Sequence, residues 1–323
     1  MSENQFFLTI KDLHVDFYLR AGILPAVRGV NFSMRKGDTL GVVGESGSGK
    51  SVMAKEIIRL NPSPPARTRG KVFFEGVDVV ALPRNKLRKI RGAKISMVFQ
   101  EPMTSLNPVF TIGQQMNAGI QEHLKLSSGE AAKWATEMLG KVGIPSPRER
   151  LKQYPHEFSG GMRQRVMIAM ALACDPLLVI ADEPTTALDV TIQDQILELL
   201  AAMIQDKGMS MILISHNLYV VADACETIMV MYAGHQVEVG PAKQVFNNPL
   251  HPYTLGLKES QPAVSGTRSE YLKPIPGTVP NMMQVPPGCA FHPRCEYGKE
   301  ICRTEIPELT PRGPDRSIAC HVM

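Results

Sequence analysis

The chain has 323 residues, 35 basic against 31 acidic side chains, a net charge of +4, 44% hydrophobic and 20% charged residues. These proportions exclude wholesale disorder and fibrous classes, and the near balance of charge argues against a dedicated nucleic-acid binder. No apolar run approaches the roughly 20 residues needed to span a bilayer, and the first residues lack a cationic stretch followed by an apolar core, so neither a membrane span nor a signal peptide is expected.

Residues 6 to about 100 predict short strands, among them 30–34, 39–43, 72–75 and 95–99, rich in β-branched and aromatic side chains. Residues 110 to about 172 predict helices; 131–142 carries apolar side chains at helical spacing, and Gly143, Pro145 and Pro147 punctuate its end. Strands return at 177–181 and 211–214, separated by a helix over 191–205, an order that predicts βαβ units and a parallel sheet. Residues 229–232 and 236–239 read as a hairpin around Ala233-Gly234-His235. Beyond Pro249 prolines are dense and the patterns fade into a small appended module, which holds Cys289, Cys295, Cys302 and Cys320. Cys174 and Cys225 sit in apolar surroundings and are expected to be ordinary buried residues. Six cysteines in a chain of this kind do not read as a disulfide framework.

Gly44-Glu45-Ser46-Gly47-Ser48-Gly49-Lys50-Ser51 matches G-x-x-x-x-G-K-[ST], with an apolar strand before it and a helical pattern over 52–59 after it. The glycines let successive N–H groups turn inward on phosphate oxygens, and the helix adds its positive end. Lys50 can reach the β- and γ-phosphates of a nucleoside triphosphate, and the Ser51 hydroxyl can ligate Mg²⁺. Downstream, an apolar strand ends in Asp182-Glu183. A buried parallel strand delivers such carboxylates to the ligand crevice. There Asp182 can hold the Mg²⁺ shell and Glu183 can orient and deprotonate an attacking water.

Between these motifs lies Phe158-Ser159-Gly160-Gly161-Met162-Arg163-Gln164-Arg165. Here the chain resembles the ATP-binding-cassette (ABC) ATPases, whose signature usually reads Leu-Ser-Gly-Gly-Gln. Phe158 and Met162 depart from the commonest form and leave the Ser-Gly-Gly backbone intact. Four further positions follow in family order: Phe17 beside Tyr18 (adenine stacking), Gln100 (Q-loop), Asp189 in Thr186-Ala187-Leu188-Asp189 (D-loop) and His216 (switch histidine). The resemblance implies ATP as substrate, Gln100 joining Ser51 and Asp182 around Mg²⁺, and His216 positioning the water. It also implies a dimer, in which Ser159, Gly160, Gly161 and Asp189 meet the nucleotide held by the opposite subunit. The expected fold class is α/β: an ABC-type P-loop ATPase over 1–250, with a mixed-sheet core, a helical subdomain at about 101–172, and a small irregular cysteine-containing extension over 251–323.

Phe99 to Pro108, Arg165 to Leu172, His251-Pro252-Tyr253-Thr254, Ile275-Pro276-Gly277 and Phe291-His292-Pro293-Arg294-Cys295 are similar to the "D"-type ATPase subunit of dipeptide, oligopeptide and nickel importers. That branch implies ATP-powered import from the cytoplasmic face of the inner membrane. Its partners are a second, related but different ATPase chain, two transmembrane permease subunits that dock around 101–108, and indirectly an extracytoplasmic substrate-binding protein. No nucleic acid is expected. Some members of the branch carry an iron–sulfur cluster in this tail, which implies a [4Fe–4S] group on Cys289, Cys295, Cys302 and Cys320. The wide cysteine spacing suits such a site better than the tight pairs of structural zinc. A Zn²⁺ site drawing on His292 or His321, and free thiols, remain the alternatives. The rival functional reading is a soluble ABC ATPase acting in translation, DNA repair or iron–sulfur assembly.

Overall fold

A computed structural model describes residues 6–185, 190–261 and 273–323. The chain forms two compact units, Met1–Ala81 with Leu213–Met323, and Leu82–Ile212. The tail thus belongs to the unit that carries the phosphate loop.

The first unit contains a four-stranded antiparallel sheet in the order Gly22–Met34, Leu8–Leu19, Ala66–Phe74, Val77–Asp78. The two leading strands run to 12 and 13 residues, far longer than the segments the sequence predicts. Register shifts beside Lys11 and His14, with Asp12 at φ 45°, break the period-two alternation and hide this length from a pattern search. A second layer in this unit orders Thr310–Pro311, Ser317–Ile318, His235–Pro241, Thr227–Tyr232 and Thr39–Val43. Thr39–Val43 pairs parallel to Thr227–Tyr232, whereas Thr227–Tyr232 and His235–Pro241 form the expected antiparallel hairpin. The sheet is therefore mixed, as the resemblance implies, its antiparallel part coming from the hairpin. Val42, Val43, Ile228, Val230 and Met231 are all fully buried, so this layer is covered on both faces. The helix Leu218–Ala224 lies so close to Thr39–Val43 that a Cβ on Gly41 would come within 2.7 Å of the Val221 Cβ.

The tail joins this layer through Ser317–Ile318, which pairs with Glu238 and Val239. Arg316 binds the Glu238 carboxylate, which is wholly buried and also accepts from the Leu250 and His251 amides at 3.0 and 2.9 Å. A buried carboxylate needs several such partners to remain charged. A two-residue strand is too short to leave a periodic signal, which is why the sequence reads this stretch as patternless.

In the second unit Ile95–Val98 pairs parallel to Leu178–Asp182, both fully buried. The helices Ile112–Leu124, Ser128–Lys141 and Gly160–Leu172 make up the predicted helical stretch. Ser127 with Glu130, and Thr111 with Gln114, form capping boxes that set the starts of the first two. The first of these boxes moves the helix start to Ser128, ahead of the apolar spacing that begins at Ala131. The strand Ser210–Ser215 contains the boundary between the units. Among the described residues no helix is long and apolar enough to cross a membrane.

Candidate nucleotide site

The phosphate loop leaves the buried strand Thr39–Val43 at Gly44 and enters the helix Lys50–Ile57. Gly49 has φ +97°, and a Cβ there would meet the Ala26 carbonyl oxygen at 2.2 Å, so only glycine fits. Lys50 is 4% exposed and donates from Nζ to the Gly44 and Glu45 carbonyls at 2.7 and 2.9 Å, and to Ser48 Oγ at 3.4 Å. The ammonium is thereby held inside the curve of the loop, beside the backbone that would cradle a phosphate chain. The hairpin tip supports the loop from below, with Gly234 N–H donating to the Ser48 carbonyl at 3.0 Å.

Phe17 and His216 share this unit. Phe17 is half-buried opposite Leu24 and Ala66, whereas the neighbouring Tyr18 ring is exposed and carries the Arg67 guanidinium 4.4 Å above it. His216 ends Ser210–Ser215, and Asn217 then caps the helix Leu218–Ala224 by accepting from the Tyr219 amide at 2.9 Å. Gln261 grips the backbone here: its amide donates to the His216 carbonyl at 2.7 Å and its oxygen accepts from the Leu218 N–H at 2.8 Å.

The other expected residues stand in the second unit. Asp182 is 1% exposed at the end of its strand. Glu183 follows at φ +45°, an unusual left-handed conformation for a side chain other than glycine, asparagine or aspartate. Gln100 Nε2 donates to Glu183 Oε2 at 3.1 Å. Ser159 caps Gly160–Leu172 by accepting from the Met162 amide at 3.3 Å, which leaves glycines in the first turn, as the Ser-Gly-Gly motif predicts. Asp189 lies outside the described residues.

Two residues not singled out from sequence, Arg294 and Tyr253, act on the phosphate loop from the tail. Arg294 is bidentate to Glu45: Nη1 donates to Oε2 at 2.7 Å and Nη2 to Oε1 at 3.0 Å. Its Nε donates to the Pro276 carbonyl at 2.8 Å, and Nη1 also reaches Tyr232 Oη at 3.3 Å. Burial disfavours the Arg294 charge, but the Glu45 carboxylate and Tyr232 hydroxyl outweigh it and hold the guanidinium pKa above its ordinary value. Tyr253 Oη accepts from the Glu45 amide at 2.7 Å, and its phenol pKa is raised well above normal, chiefly by burial. Tyr232, Tyr253 and Phe291 pack as an aromatic cluster with centroids 4.6 to 5.3 Å apart. In sequence, Tyr253 and Arg294 are marked only by lying in the family-like segments His251–Thr254 and Phe291–Cys295.

The four tail thiols share one neighbourhood. Burial first, then the thiols of Cys302, Cys320 and Cys295, push the Cys289 thiol up to about 11; burial, Cys320 and Cys302 raise Cys295. Backbone amides of Lys299 and Val322 donate to the sulfurs of Cys302 and Cys320 at 3.5 and 3.4 Å. None of the cysteines is in a disulfide. Among the described residues, no group of three or more His, Cys, Asp or Glu side chains is arranged to hold a metal ion. His292 Nδ1 and His321 Nε2 each donate to a backbone carbonyl, of Cys289 and Glu305, which takes one nitrogen of each from a zinc set. Cys225 is buried as expected, and burial pushes its thiol up to about 12, whereas Cys174 is only half-buried.

A phosphate loop on a mixed sheet, a buried acidic strand end and a serine-capped Gly-Gly helix together define a nucleotide-hydrolysing cassette. The solved dimer of the ATP-binding cassette MJ0796 in a post-hydrolysis state with ADP and Pi has the same fold: TM-score 0.65, 28% identity, 73% of this chain and 98% of that one covered. The ABC transporter family matches residues 27–186, and the family described as the oligopeptide/dipeptide transporter C-terminal region matches 237–302. The dipeptide transport ATP-binding protein DppD of Bacillus subtilis (strain 168) is 48% identical over 314 residues, covering 97% of this chain and 93% of the relative. The oligopeptide transport ATP-binding protein OppD of Escherichia coli (strain K12) is 47% identical over 313 residues, 97% and 92%. The chain belongs to the ATP-binding proteins of the oligopeptide/dipeptide ABC transporter family and is an ATPase.

Proposed function

We propose that this chain is the ATPase subunit of a peptide importer. The observation that carries the reading is the near full-length identity to dipeptide and oligopeptide transport ATP-binding proteins, which runs through the tail as well as the cassette. That coverage also favours transport over the non-transport rival.

In the catalytic reading, Lys50 and the loop amides bind the β- and γ-phosphates, and Phe17 stacks on adenine. Mg²⁺ neutralises phosphate charge when bound, with Ser51, Asp182 and Gln100 as the residues that would hold its shell. Glu183 takes the proton of the attacking water, while Gln100 orients the Glu183 carboxylate through its amide. His216 positions the water against the γ-phosphate. Ser159, Gly160 and Gly161 of one subunit present a helix end to the nucleotide on the other, and Asp189 crosses the same interface.

The partners follow from the same reading: a related second ATPase, two permease subunits and, beyond them, an extracytoplasmic binding protein, with the chain peripheral on the cytoplasmic face. The segment after Gln100 supports a docking role, because Met103, Val109 and Phe110 are 61%, 71% and 48% exposed. In the tail we assign Cys289, Cys295, Cys302 and Cys320 as the residues that would hold a [4Fe–4S] group. Shared thiol proximity and amide donors to sulfur support the assignment, and when bound the group would cross-link a segment poor in regular structure.

The deciding experiment is reconstitution of the chain with its permease subunits and partner ATPase in vesicles. ATP-dependent uptake of labelled di- and oligopeptides, abolished by Glu183→Gln in this subunit, is the expected result. ATP hydrolysis with no peptide movement under any binding-protein condition would reject the importer reading.

A further inference from the structure

Glu45 is one of the variable positions of the phosphate loop, and nothing in the phosphate-binding chemistry asks for a carboxylate there. Yet its side chain and its backbone amide are both engaged by residues from beyond position 250. Arg294 closes a two-bond fork on the carboxylate with a guanidinium side chain only 5% exposed. Tyr253 Oη takes the Glu45 amide. Arg294 is itself fixed by the Pro276 carbonyl and packed against Tyr232 and Phe291. A planar fork held at four points cannot drift, so it sets where Glu45 sits. Glu45 in turn supplies the carbonyl that accepts from Lys50 Nζ. A second grip from the same region, Gln261 on His216 and Leu218, falls on the loop that carries the switch histidine. Tyr253 and Gln261 hold nucleotide-site backbone and Arg294 holds the Glu45 side chain, and none of the three would touch phosphate.

We propose that Arg294 is a positioning residue for ATP binding, with Tyr253 as its second point of hold: the tail sets the shape of the phosphate loop through Glu45. The loop's affinity for the triphosphate then depends on a side chain 249 positions away in sequence.

The test uses the full-length chain with Mg²⁺ and ATP. Calorimetric titration of Arg294→Ala and Glu45→Ala is expected to show ATP affinity lowered about tenfold in each, with Arg294→Ala/Glu45→Ala no weaker than either single variant. Arg294→Lys, which keeps the charge and loses the fork, is expected to recover part of that loss. Thermal unfolding without nucleotide separates the rival explanation. A merely structural role would lower the melting temperature of Arg294→Ala and leave ATP affinity unchanged, and that result overturns the proposal. Additive losses in the double variant overturn it as well. If Arg294→Ala does not fold, Tyr253→Phe and Glu45→Gln decide: lowered affinity for ATP supports the proposal and unchanged affinity rejects it.

Discussion

Gln100 donates its side-chain amide to the Glu183 carboxylate at 3.1 Å, across the parallel pair of strands whose ends carry them. The bond orients the Glu183 carboxylate. Replacing Glu183 by Gln keeps the size and removes the base. Hydrolysis by the assembled transporter should fall by about 100-fold or more, the usual worth of a general base. Nucleotide binding should persist and hold the ATPase pair closed. Single-turnover hydrolysis together with size analysis of the ATP-bound subunits checks this; turnover at the parent rate would remove Glu183 from the role.

Lys50 is the loop's only lysine, and its Nζ is already turned into the curve of the backbone by the Gly44 and Glu45 carbonyls. A charge-assisted hydrogen bond contributes about 1.5–3 kcal/mol, so Lys50→Ala should weaken ATP binding by about 10- to 100-fold. Titration of the full chain with MgATP gives the number.

His251 caps the helix Pro252–Glu259 by accepting the Tyr253 amide on Nδ1 at 3.0 Å, and burial drives its pKa down to about 3. The unfolded chain titrates this side chain near 6.5. Between those values the unfolded state binds a proton that the folded state refuses, so stability rises with pH across the window and is lost as pH falls below about 6.5. By pH 5 the loss from this residue amounts to about 2 kcal/mol. Denaturant unfolding at pH 7.5 and pH 5.0 measures it. His251→Asn, which keeps a cap acceptor but does not titrate, should flatten the difference; an equally steep fall in the variant would place the acid sensitivity elsewhere.

Anaerobic purification should yield a brown chain with about four irons and four sulfides if the tail thiols hold a cluster. Cys295→Ser should then bleach the visible absorption and lower the iron content. A colourless parent protein, or an unchanged metal content in Cys295→Ser, would withdraw the assignment.

The parts of the site that are legible in sequence are those whose chemistry is local. The phosphate loop needs its glycines within a few residues of its lysine. The acidic pair needs an apolar strand directly before it, and the Ser159 cap needs glycines directly after it. Each is a short pattern set by backbone geometry, and each stands where the pattern predicted. What the sequence conceals is pairing between distant positions. Nothing in Gly44-Glu45-Ser46 announces a guanidinium from Arg294, and nothing in Ser317-Ile318 announces a place beside Glu238 and Val239. Strand lengths fail for a different reason. The bulge at Asp12 interrupts the alternation that would have marked Leu8–Leu19 as a single strand. The start of the second long helix shifts from Ala131 to Ser128 because Ser127 satisfies a terminal amide, which an apolar count does not register.

The first unit joins the start of the chain to its end, and the Glu45 carboxylate meets Arg294 only 249 residues later. A ribosome releases these two residues many seconds apart, at the usual rate of about 5–20 residues per second. Throughout that interval the nascent chain displays a phosphate loop without its clamp. On the proposed role of Arg294, messages cut short before codon 294 would yield cassettes with every hydrolytic motif and a loosened grip on nucleotide. If Arg294 has the positioning role proposed above, the tail also serves as a completion mark for the nucleotide site.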